Sequence, residues 1–237
     1  MSLILPYARE DAGQPASLHP SYGSTVARSP REPLIKIPHT LTETTGPTNA
    51  WPRLMGEAMA DLTTQHKAMP QGQRIIVSGR VLGEDGRPVP NTVMEVWQAN
   101  AAGRYIHDKD QWDAPHDPNF TGAGRVITDA EGRYQFVTVR PGAYPWGNHY
   151  NAWRPAHIHL SLHGPAFATR LVTQMYFPDD PLIEIDPIAN AVPLPYRQRM
   201  VSRFDIETTQ PNWALGYLFD VVLRGRDATP FEDDHHD

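Results

Sequence analysis

Proline is the residue that most limits how this 237-residue chain can fold, because it interrupts helices and removes a hydrogen-bond donor from central strands. The chain has 24 prolines, and they recur from Pro6 to Pro52 with only short apolar pieces between them. Residues 1–70 are therefore expected to form an extended N-terminal arm that lies against the body of the chain or against a partner subunit. Near the end of this arm, the apolar spacing within residues 51–65 predicts one or two helical turns.

After residue 70 the sequence changes to short β-favouring runs separated by turn residues. The turn sequences at 83–86 and 129–132 predict two hairpin-like units. At least seven short strands without long helices between them predict an all-β fold, an antiparallel β-sandwich with long loops that occupies residues 71–237. The predicted strands are 74–81, 92–97, 125–128, 133–139, 169–177 and 218–223, with a further strand around His157.

The charge and composition exclude several kinds of function. With 21 basic and 27 acidic residues the formal net charge is −6, so the chain has no excess of positive charge for nucleic acid or an anionic membrane. It has no cysteine, which excludes disulfides, thiolate metal sites and a cysteine nucleophile. Any metal must therefore be held by nitrogen and oxygen atoms. The beginning of the chain has no basic segment before its brief apolar run, which favours a cytoplasmic protein.

The stretch from Gly142 to Leu162 has the character of a metal site. His157 and His159 lie two residues apart in a β-favouring run, and because side chains alternate along a strand, both imidazoles are expected on one face. A proline-containing loop places Tyr144 shortly before them. A His-x-His pair by itself is more often structural than metal-binding, so the assignment depends on the tyrosines that accompany it.

A second tyrosine, Tyr105, completes the candidate ligand set. A free phenol has a pKa of about 10, so its ionisation at neutral pH needs a strong Lewis acid. Two phenolates with two imidazoles suit ferric iron better than zinc, which usually takes His, Cys and carboxylate. Two alternatives stay open: a zinc or Fe(II) enzyme that uses both histidines with a carboxylate such as Asp179, and a β-sandwich binding or scaffold subunit that is not an enzyme.

Several motifs together are similar to those of a known family. The run Val77–Tyr105 has the form of its signature, and Tyr144–Trp146 with Trp153–His159 has the form of its second metal-binding segment. The family is that of the intradiol ring-cleavage dioxygenases, and the resemblance extends over nearly the whole chain, from about Tyr22 to Gly225. It implies one Fe(III) per chain, bound by four side chains: Tyr105, Tyr144, His157 and His159.

The resemblance also implies roles for residues near the iron. Tyr144 would act as a base as well as a ligand and take one proton from the substrate. Arg154 would stabilise negative charge on the substrate ring, whereas the residue by itself is more often a surface cation or an ion-pair partner. Gln174 resembles a glutamine beside the O2 pocket. The positions that resemble substrate contacts are Tyr22, Trp146, Arg154 and Ile188, and the Tyr22 hydroxyl would reach a substrate carboxylate.

Within the family the chain resembles the iron-binding β chain of those members that pair it with an α chain. These members cleave protocatechuate (3,4-dihydroxybenzoate) with O2 to 3-carboxy-cis,cis-muconate, a step of aromatic hydrocarbon catabolism in the β-ketoadipate pathway. The companion α chain lacks the iron ligands, so the complete ligand set favours the β chain. The resemblance thus implies protocatechuate, O2 and an α chain as partners in an αβ hetero-oligomer. Members that cleave catechol or hydroxyquinol are the alternative.

Overall fold

The structure, a computed structural model, describes residues 11–32, 58–148, 150–163 and 170–231. The strands within these residues are β1 (Arg74–Leu82), β2 (Val93–Trp97), β3 (Ala123–Ile127), β4 (Arg133–Val139), β5 (Tyr144–Pro145), β6 (Trp153–Arg154), β7 (His157–His163), β8 (Arg170–Tyr176), β9 (Arg203–Phe204), β10 (Leu215–Leu218) and β11 (Val221–Val222). The helices are α1 (Gly23–Arg28), α2 (Pro187–Ala191) and α3 (Leu194–Arg197), with 3-10 turns at Asp11–Gly13, Pro181–Glu184 and Gln198–Met200. None of these helices is long and apolar enough to cross a membrane.

Two sheets and a small ribbon organise these strands. In the first sheet β1 pairs antiparallel with β4 and parallel with β10 and β11, while β9 pairs antiparallel with β10. The second sheet has the strand order β3-β2-β7-β8 and is antiparallel throughout. Strands β5 and β6 form the ribbon. The two parallel pairings of β1 are the departure from the fully antiparallel arrangement that the sequence predicts.

The inner faces of the two sheets share one hydrophobic core. Each large apolar side chain buried there stabilises the fold by about 1.5–3 kcal/mol relative to its exposure to water. Because both sheets contribute to the same core, the predicted all-β sandwich with long loops is confirmed. Core residues of the first sheet include Ile75, Val77, Tyr134, Phe136 and Tyr217, and those of the second sheet include Met94, Val96, Val126, Ile158, Leu160, Leu162 and Met175.

The two predicted hairpin-like units are wrong, although their turns are correct. Gly86 and Gly132 have φ values of 73° and 69°, a backbone conformation that favours glycine. The strands on either side of each turn nevertheless join different sheets, because β1 pairs with β4 and β2 pairs with β3. In the first unit Pro88 and Pro90 have no N–H to continue a ladder towards β2. In the second unit all seven residues of β4 pair with β1.

The single strand predicted for 218–223 is interrupted in the structure. It is divided into β10 and β11, which both pair with β1. Between them, the carboxylate of Asp220 accepts a hydrogen bond from the backbone N–H of Arg80 in β1, with an N–O distance of 2.8 Å. This side-chain acceptor takes the place of a backbone carbonyl, so the ladder stops and begins again.

The helical turns predicted within residues 51–65 are wrong for residues 58–65, and residues 51–57 lie outside the described part of the chain. Met59 donates its backbone N–H to the carbonyl of Arg125 in β3, and Leu62 donates to that of Val137 in β4, both at 2.9 Å. Pairing with two strands satisfies the backbone groups that a helix would have paired internally.

The end of the N-terminal arm contributes to the core of the sandwich. Leu62 is fully buried there. A Cβ at Gly124 would lie 2.5 Å from Leu62 Cδ1, so the glycine makes room for this side chain. This part of the arm therefore lies against the body of its own chain. The division of the chain into residues 1–70 and 71–237 stays a prediction.

We expect Leu62→Ala to lower the free energy of unfolding by about 2–5 kcal/mol, because it removes a fully buried side chain from a packed core. Leu194→Ala is the matched control: Leu194 is 67% exposed, and its loss should change stability by less than about 0.5 kcal/mol. Urea unfolding followed by circular dichroism measures both effects. Equal, small effects of the two substitutions would show that the end of the arm does not belong to the core.

Candidate metal centre

One face of strand β7 packs in the hydrophobic core, and the other face carries the candidate site. Because side chains alternate along a strand, its even-numbered residues Ile158, Leu160 and Leu162 enter the hydrophobic core. Its odd-numbered residues His157 and His159 lie on the opposite face and are also buried, at 2% and 3% exposure. The sequence-predicted histidine pair is therefore brought to one face, as expected from its spacing.

The neighbouring strands supply the surroundings of the two histidines through their register. Trp97 of β2 is paired with His159, and the two rings are stacked with centroids 4.8 Å apart and planes 6° from parallel. On the other side, β8 places Gln174 opposite His159 and Tyr176 opposite His157. The two imidazoles therefore lie between the Trp97 ring from β2 and the Gln174 and Tyr176 side chains from β8, on one face of the sheet.

The two tyrosines reach this face from loops. Tyr105 follows a turn after β2 in which Gly103 has a φ of 81°, and its backbone N–H donates to the carboxylate of Asp110 (2.8 Å). Tyr144 lies on β5, where it pairs with Arg154 of β6. The rings of Tyr105 and Tyr144 are perpendicular, with centroids 5.4 Å apart. Both side chains are partly buried.

Four donor atoms lie close together at this point. The Nε2 atoms of His157 and His159 are 3.2 Å apart, the Tyr105 hydroxyl is 3.1 Å from His159 Nε2, and the Tyr144 hydroxyl is 3.4 Å from His157 Nε2. An ion with bonds of about 2.0–2.1 Å and bond angles between 90° and tetrahedral keeps its donors about 2.8–3.4 Å apart. The separations therefore fit a single metal ion, and these four side chains could hold it.

The protonation state of His157 also suits a metal ligand. Burial is the main cause that lowers the pKa of His157 well below its ordinary value, and the charge of Arg154 and the neighbouring His159 lower it further. A hydrogen bond from Nδ1 to the carbonyl of Pro155 (2.7 Å) has the opposite, smaller effect on the pKa. With its proton on Nδ1, the neutral ring directs the Nε2 lone pair towards the other donors.

The alternative site built on Asp179 is not formed. Asp179 is exposed in the turn after β8, with a φ of 61°, whereas both histidines are buried. Across the described residues, no group of three or more His, Asp or Glu side chains is arranged to hold a metal. The described residues therefore give no support to a zinc or Fe(II) centre that uses this carboxylate.

Arg154 is a buried, paired cation. It is 2% exposed, and its Nε atom lies 2.8 Å from Asp186 Oδ1 in an ion pair. Its Nη2 atom donates to Gln174 Oε1 and lies 3.4 Å from the hydroxyl of Tyr176. Burial raises the pKa of Tyr176 well above its ordinary value, and Asp186 raises it further, so Tyr176 stays a neutral hydroxyl.

The sequence analysis missed three residues that surround the site: Trp97, Tyr176 and Asp186. Trp97 and Tyr176 follow from the register of the sheet, which is set by pairings between strands that are distant in sequence. Asp186 had a local signal, because it is followed by Pro187, and Asp before Pro is typical of the start of a helix. Its carboxylate indeed caps α2 by accepting from the backbone N–H groups of Ile188 and Ala189.

The predicted substrate-contact residues are brought to the same side of the sandwich. Tyr22 is buried and lies edge-on to Trp146, with ring centroids 5.4 Å apart. The guanidinium of Arg154 is 5.5 Å from the centre of the Trp146 ring. Ile188 is buried in the first turn of α2, two residues after Asp186, which pairs with Arg154. These contacts connect the N-terminal arm, the β5–β6 loop and α2 around one region.

Helix α1 of the arm is packed closely on the loop that carries Trp146. The backbone N–H of Ser24 donates to the side-chain oxygen of Asn148 (3.0 Å), and the Asn148 amide also donates to the Ser24 hydroxyl. A Cβ at Gly23 would lie 2.4 Å from the backbone oxygen of Asn148. Glycine at this position therefore allows the close approach.

Comparison with known proteins gives matches over the whole of this architecture. A family model described as "Dioxygenase" matches residues 45–225, and one described as "Protocatechuate 3,4-dioxygenase beta subunit N terminal" matches residues 7–40. The chain is 57% identical over 226 residues to the protocatechuate 3,4-dioxygenase beta chain of Burkholderia cepacia, covering 94% of this chain and 96% of that one. It is 30% identical over 208 residues to the alpha chain from the same organism, covering 84% and 100%.

Solved structures of similar fold come from ring-cleaving dioxygenases as well. The 3-chlorocatechol 1,2-dioxygenase of Rhodococcus opacus 1CP superimposes with a TM-score of 0.54 at 25% identity, covering 68% of this chain and 63% of that one. The hydroxyquinol 1,2-dioxygenase of Pseudomonas putida DLL-E4 gives a TM-score of 0.54 at 24% identity, covering 74% and 60%. The second of these supports the fold alone.

We expect Gly23→Ala to weaken the packing of helix α1 on the loop that carries Asn148, because its new methyl group would clash with the Asn148 backbone. Tryptic cleavage after Arg28 should become faster, although alanine favours a helix over glycine by about 0.5–1 kcal/mol. Gly147→Ala in the same loop is the control, since a Cβ there has no atom within 4 Å. Cleavage rates measured by mass spectrometry compare the two, and equal rates would show that the Gly23 contact does not hold the arm.

Proposed function

The chain belongs to the intradiol ring-cleavage dioxygenase family, and we propose that it is the β chain of a protocatechuate 3,4-dioxygenase. The reaction opens the ring of protocatechuate between its two hydroxyl-bearing carbons, and both atoms of O2 enter the product, 3-carboxy-cis,cis-muconate. The observation that carries the proposal is the cluster of two imidazoles and two phenols, whose donor atoms are linked by successive separations of 3.1–3.4 Å, in a chain 57% identical to such a β chain.

The proposed cofactor is one Fe(III) per chain, held by Tyr105, Tyr144, His157 and His159. Its support is the donor set, since phenolate oxygens and neutral imidazoles suit a hard trivalent ion. When bound, the ferric ion acts as a Lewis acid towards the catechol oxygens and makes the electron-rich ring reactive towards O2. The burial of both histidines and the stacking of Trp97 on His159 hold two of the donors in fixed orientations.

Tyr144 is the proposed base that accepts a proton from a substrate hydroxyl. The pKa of a phenol, about 10, is suited to this transfer because the donor is itself a phenolic hydroxyl. Tyr144 is partly exposed and lies on a strand of two residues outside both large sheets, which supports its access to the substrate. A ligand that also accepts a proton needs this access to the substrate.

Arg154 supplies positive charge where negative charge develops on the substrate ring. A guanidinium in a buried site interacts with such charge more strongly than it does in water. The ion pair with Asp186 and the bond to Gln174 fix its plane before substrate binds. Gln174 is fully buried opposite His159, which supports its proposed position beside the O2 pocket.

The remaining proposed substrate contacts distinguish protocatechuate from simpler catechols. Trp146 and Ile188 provide apolar surface for the ring, and the Tyr22 hydroxyl provides a hydrogen bond to the carboxylate. The contact between Tyr22 and Trp146 supports a shared pocket. Since catechol has no carboxylate, only protocatechuate gains the contact with Tyr22.

The proposed partner is an α chain of the same enzyme, in an αβ hetero-oligomer. The support is that both a beta chain and an alpha chain of protocatechuate 3,4-dioxygenase are similar to this chain over most of its length. Residues 1–70 form the proposed subunit-contact arm, and residues 71–237 form the catalytic sandwich. A cytoplasmic location agrees with a small soluble aromatic substrate and is likewise a proposal.

We expect His159→Ala to lose most of its iron, because it removes a donor on which the tyrosine and histidine contacts converge. His163→Ala is the matched control on the same face of β7, where the side chain pairs with Glu95. Iron content by elemental analysis and the absorbance of the phenolate–iron band in visible light measure the result. Full iron occupancy in His159→Ala, with a normal circular dichroism spectrum, would contradict the ligand assignment.

The proposed reaction is tested by O2 uptake. The full chain co-expressed with an α chain should consume O2 with protocatechuate and form a product with the mass and absorbance of 3-carboxymuconate. Tyr22→Phe should raise the KM for protocatechuate by about tenfold, the effect of about 1.4 kcal/mol from one lost hydrogen bond, and leave the KM for catechol unchanged.

Two results would contradict this assignment. A preference for catechol or hydroxyquinol by the full chain on its own would replace both the substrate and the partner. Absence of O2 uptake with every catechol tested, in protein that contains its iron, would favour a binding or scaffold subunit.

A further inference from the structure

We propose that Asp186 is a positioning residue that sets the orientation of Arg154 and, through the same carboxylate, the position of the first turn of α2. The inference rests on the proposed function, because it concerns how Arg154 acts on the substrate. It goes beyond that function by assigning a role to a residue that has no proposed contact with metal or substrate. The carboxylate joins two substrate-facing elements that are 32 residues apart in sequence.

Both oxygens of the Asp186 carboxylate have partners inside the protein. Its Oδ1 atom lies 2.8 Å from Arg154 Nε in an ion pair and accepts a hydrogen bond from the backbone N–H of Ile188 at 3.3 Å. Its Oδ2 atom accepts from the Tyr176 hydroxyl at 2.9 Å, from Arg154 Nη2 at 3.3 Å and from the backbone N–H of Ala189 at 3.4 Å. Asp186 is completely buried, so these donors stand where water would otherwise bind.

The contact with Arg154 is made by two nitrogens on one edge of the guanidinium. Nε lies 2.8 Å from Oδ1 in an ion pair and Nη2 donates a hydrogen bond to Oδ2, and two contacts with one carboxylate restrict the plane of the guanidinium as well as its position. A single hydrogen bond would leave the group able to turn about its own axis. Asp186 thus determines which way the Arg154 charge faces, whereas the backbone of β6 determines only where the side chain begins.

The same carboxylate fixes the position of Ile188. As the N-cap of α2, Asp186 binds the backbone N–H groups that a helix leaves without internal partners. Ile188 is the second residue of this helix, so its place relative to Arg154 is set through one side chain. A change at Asp186 should therefore alter the two sides of the substrate pocket together.

A purely structural role for Asp186 is the competing explanation, since breaking any buried ion pair destabilises a protein. The two explanations differ in how the effects of substitutions combine. If Asp186 acts through Arg154, its substitution matters for turnover only while Arg154 is present. If Asp186 only stabilises the fold, its effect on kcat is the same with or without Arg154.

The test is a double-mutant cycle with Asp186→Asn and Arg154→Gln in the full chain co-expressed with an α chain. Asp186→Asn should keep its iron and its visible band, and lower kcat for protocatechuate by about 100-fold, the effect of a misplaced catalytic group. In the Arg154→Gln background the same substitution should lower kcat by less than about threefold. A further 100-fold loss in that background would overturn the proposal.

Asp180→Asn is the matched control in the same connection. Asp180 also precedes a proline and caps a short helical turn, but its carboxylate binds the backbone N–H groups of Leu182 and Ala156. Its substitution should change kcat by less than about threefold. A loss as large as that of Asp186→Asn would assign the effect to capping and overturn the proposal.

Failure of the proposed function gives a different result. A wild-type enzyme with iron but without protocatechuate turnover would contradict the proposed function, and it would leave the pairing of Asp186 with Arg154 to be tested. The same four proteins then decide the pairing by urea unfolding. Non-additive free energies of unfolding would support the coupling of Asp186 to Arg154, and additive ones would overturn it.

Discussion

The two-sided burial of β7 is the constraint on which the rest of the structure depends. All residues of this strand except the last are buried, the even-numbered ones by the sandwich core and the histidines by the loops that cover the sheet. A shift of the strand by one residue would place both imidazoles in the core and three large apolar side chains in the site. The hydrophobic effect therefore fixes the register that brings the donor atoms together.

Polar groups that are buried on the site face need hydrogen-bond or ion-pair partners inside the protein. Four such groups pair with one another: Arg154 of β6, Gln174 and Tyr176 of β8, and Asp186 at the start of α2. Because an unpaired charge in such a place costs several kcal/mol, none of these residues is independent of the others. Because its partners are needed for stability, this network also fixes the orientation of the Arg154 guanidinium near the proposed substrate.

The sequence predicted what local periodicity determines. Alternation along β7 placed His157 and His159 on one face, and turn residues marked Gly86 and Gly132 correctly. The predictions were wrong where the structure depends on pairing between segments that are distant in sequence. Both turns are present, but β1 pairs with β4 rather than with β2. Residues 58–65 hydrogen-bond to two strands instead of forming a helix. Asp186 was missed because a lone Asp-Pro signals only a helix start, and its partner Arg154 lies 32 residues earlier.

The four candidate ligands differ in how firmly the fold holds them, and this difference matches their proposed roles. His157 and His159 lie on a central strand whose opposite face is packed in the core, so they cannot move without disturbing it. Tyr105 follows a turn closed by hydrogen bonds to Asn100 and Asp110. Tyr144 lies on the two-residue strand β5, outside both large sheets. The donor proposed to exchange a proton with the substrate is thus carried by a short strand outside the two sheets, unlike the two histidines.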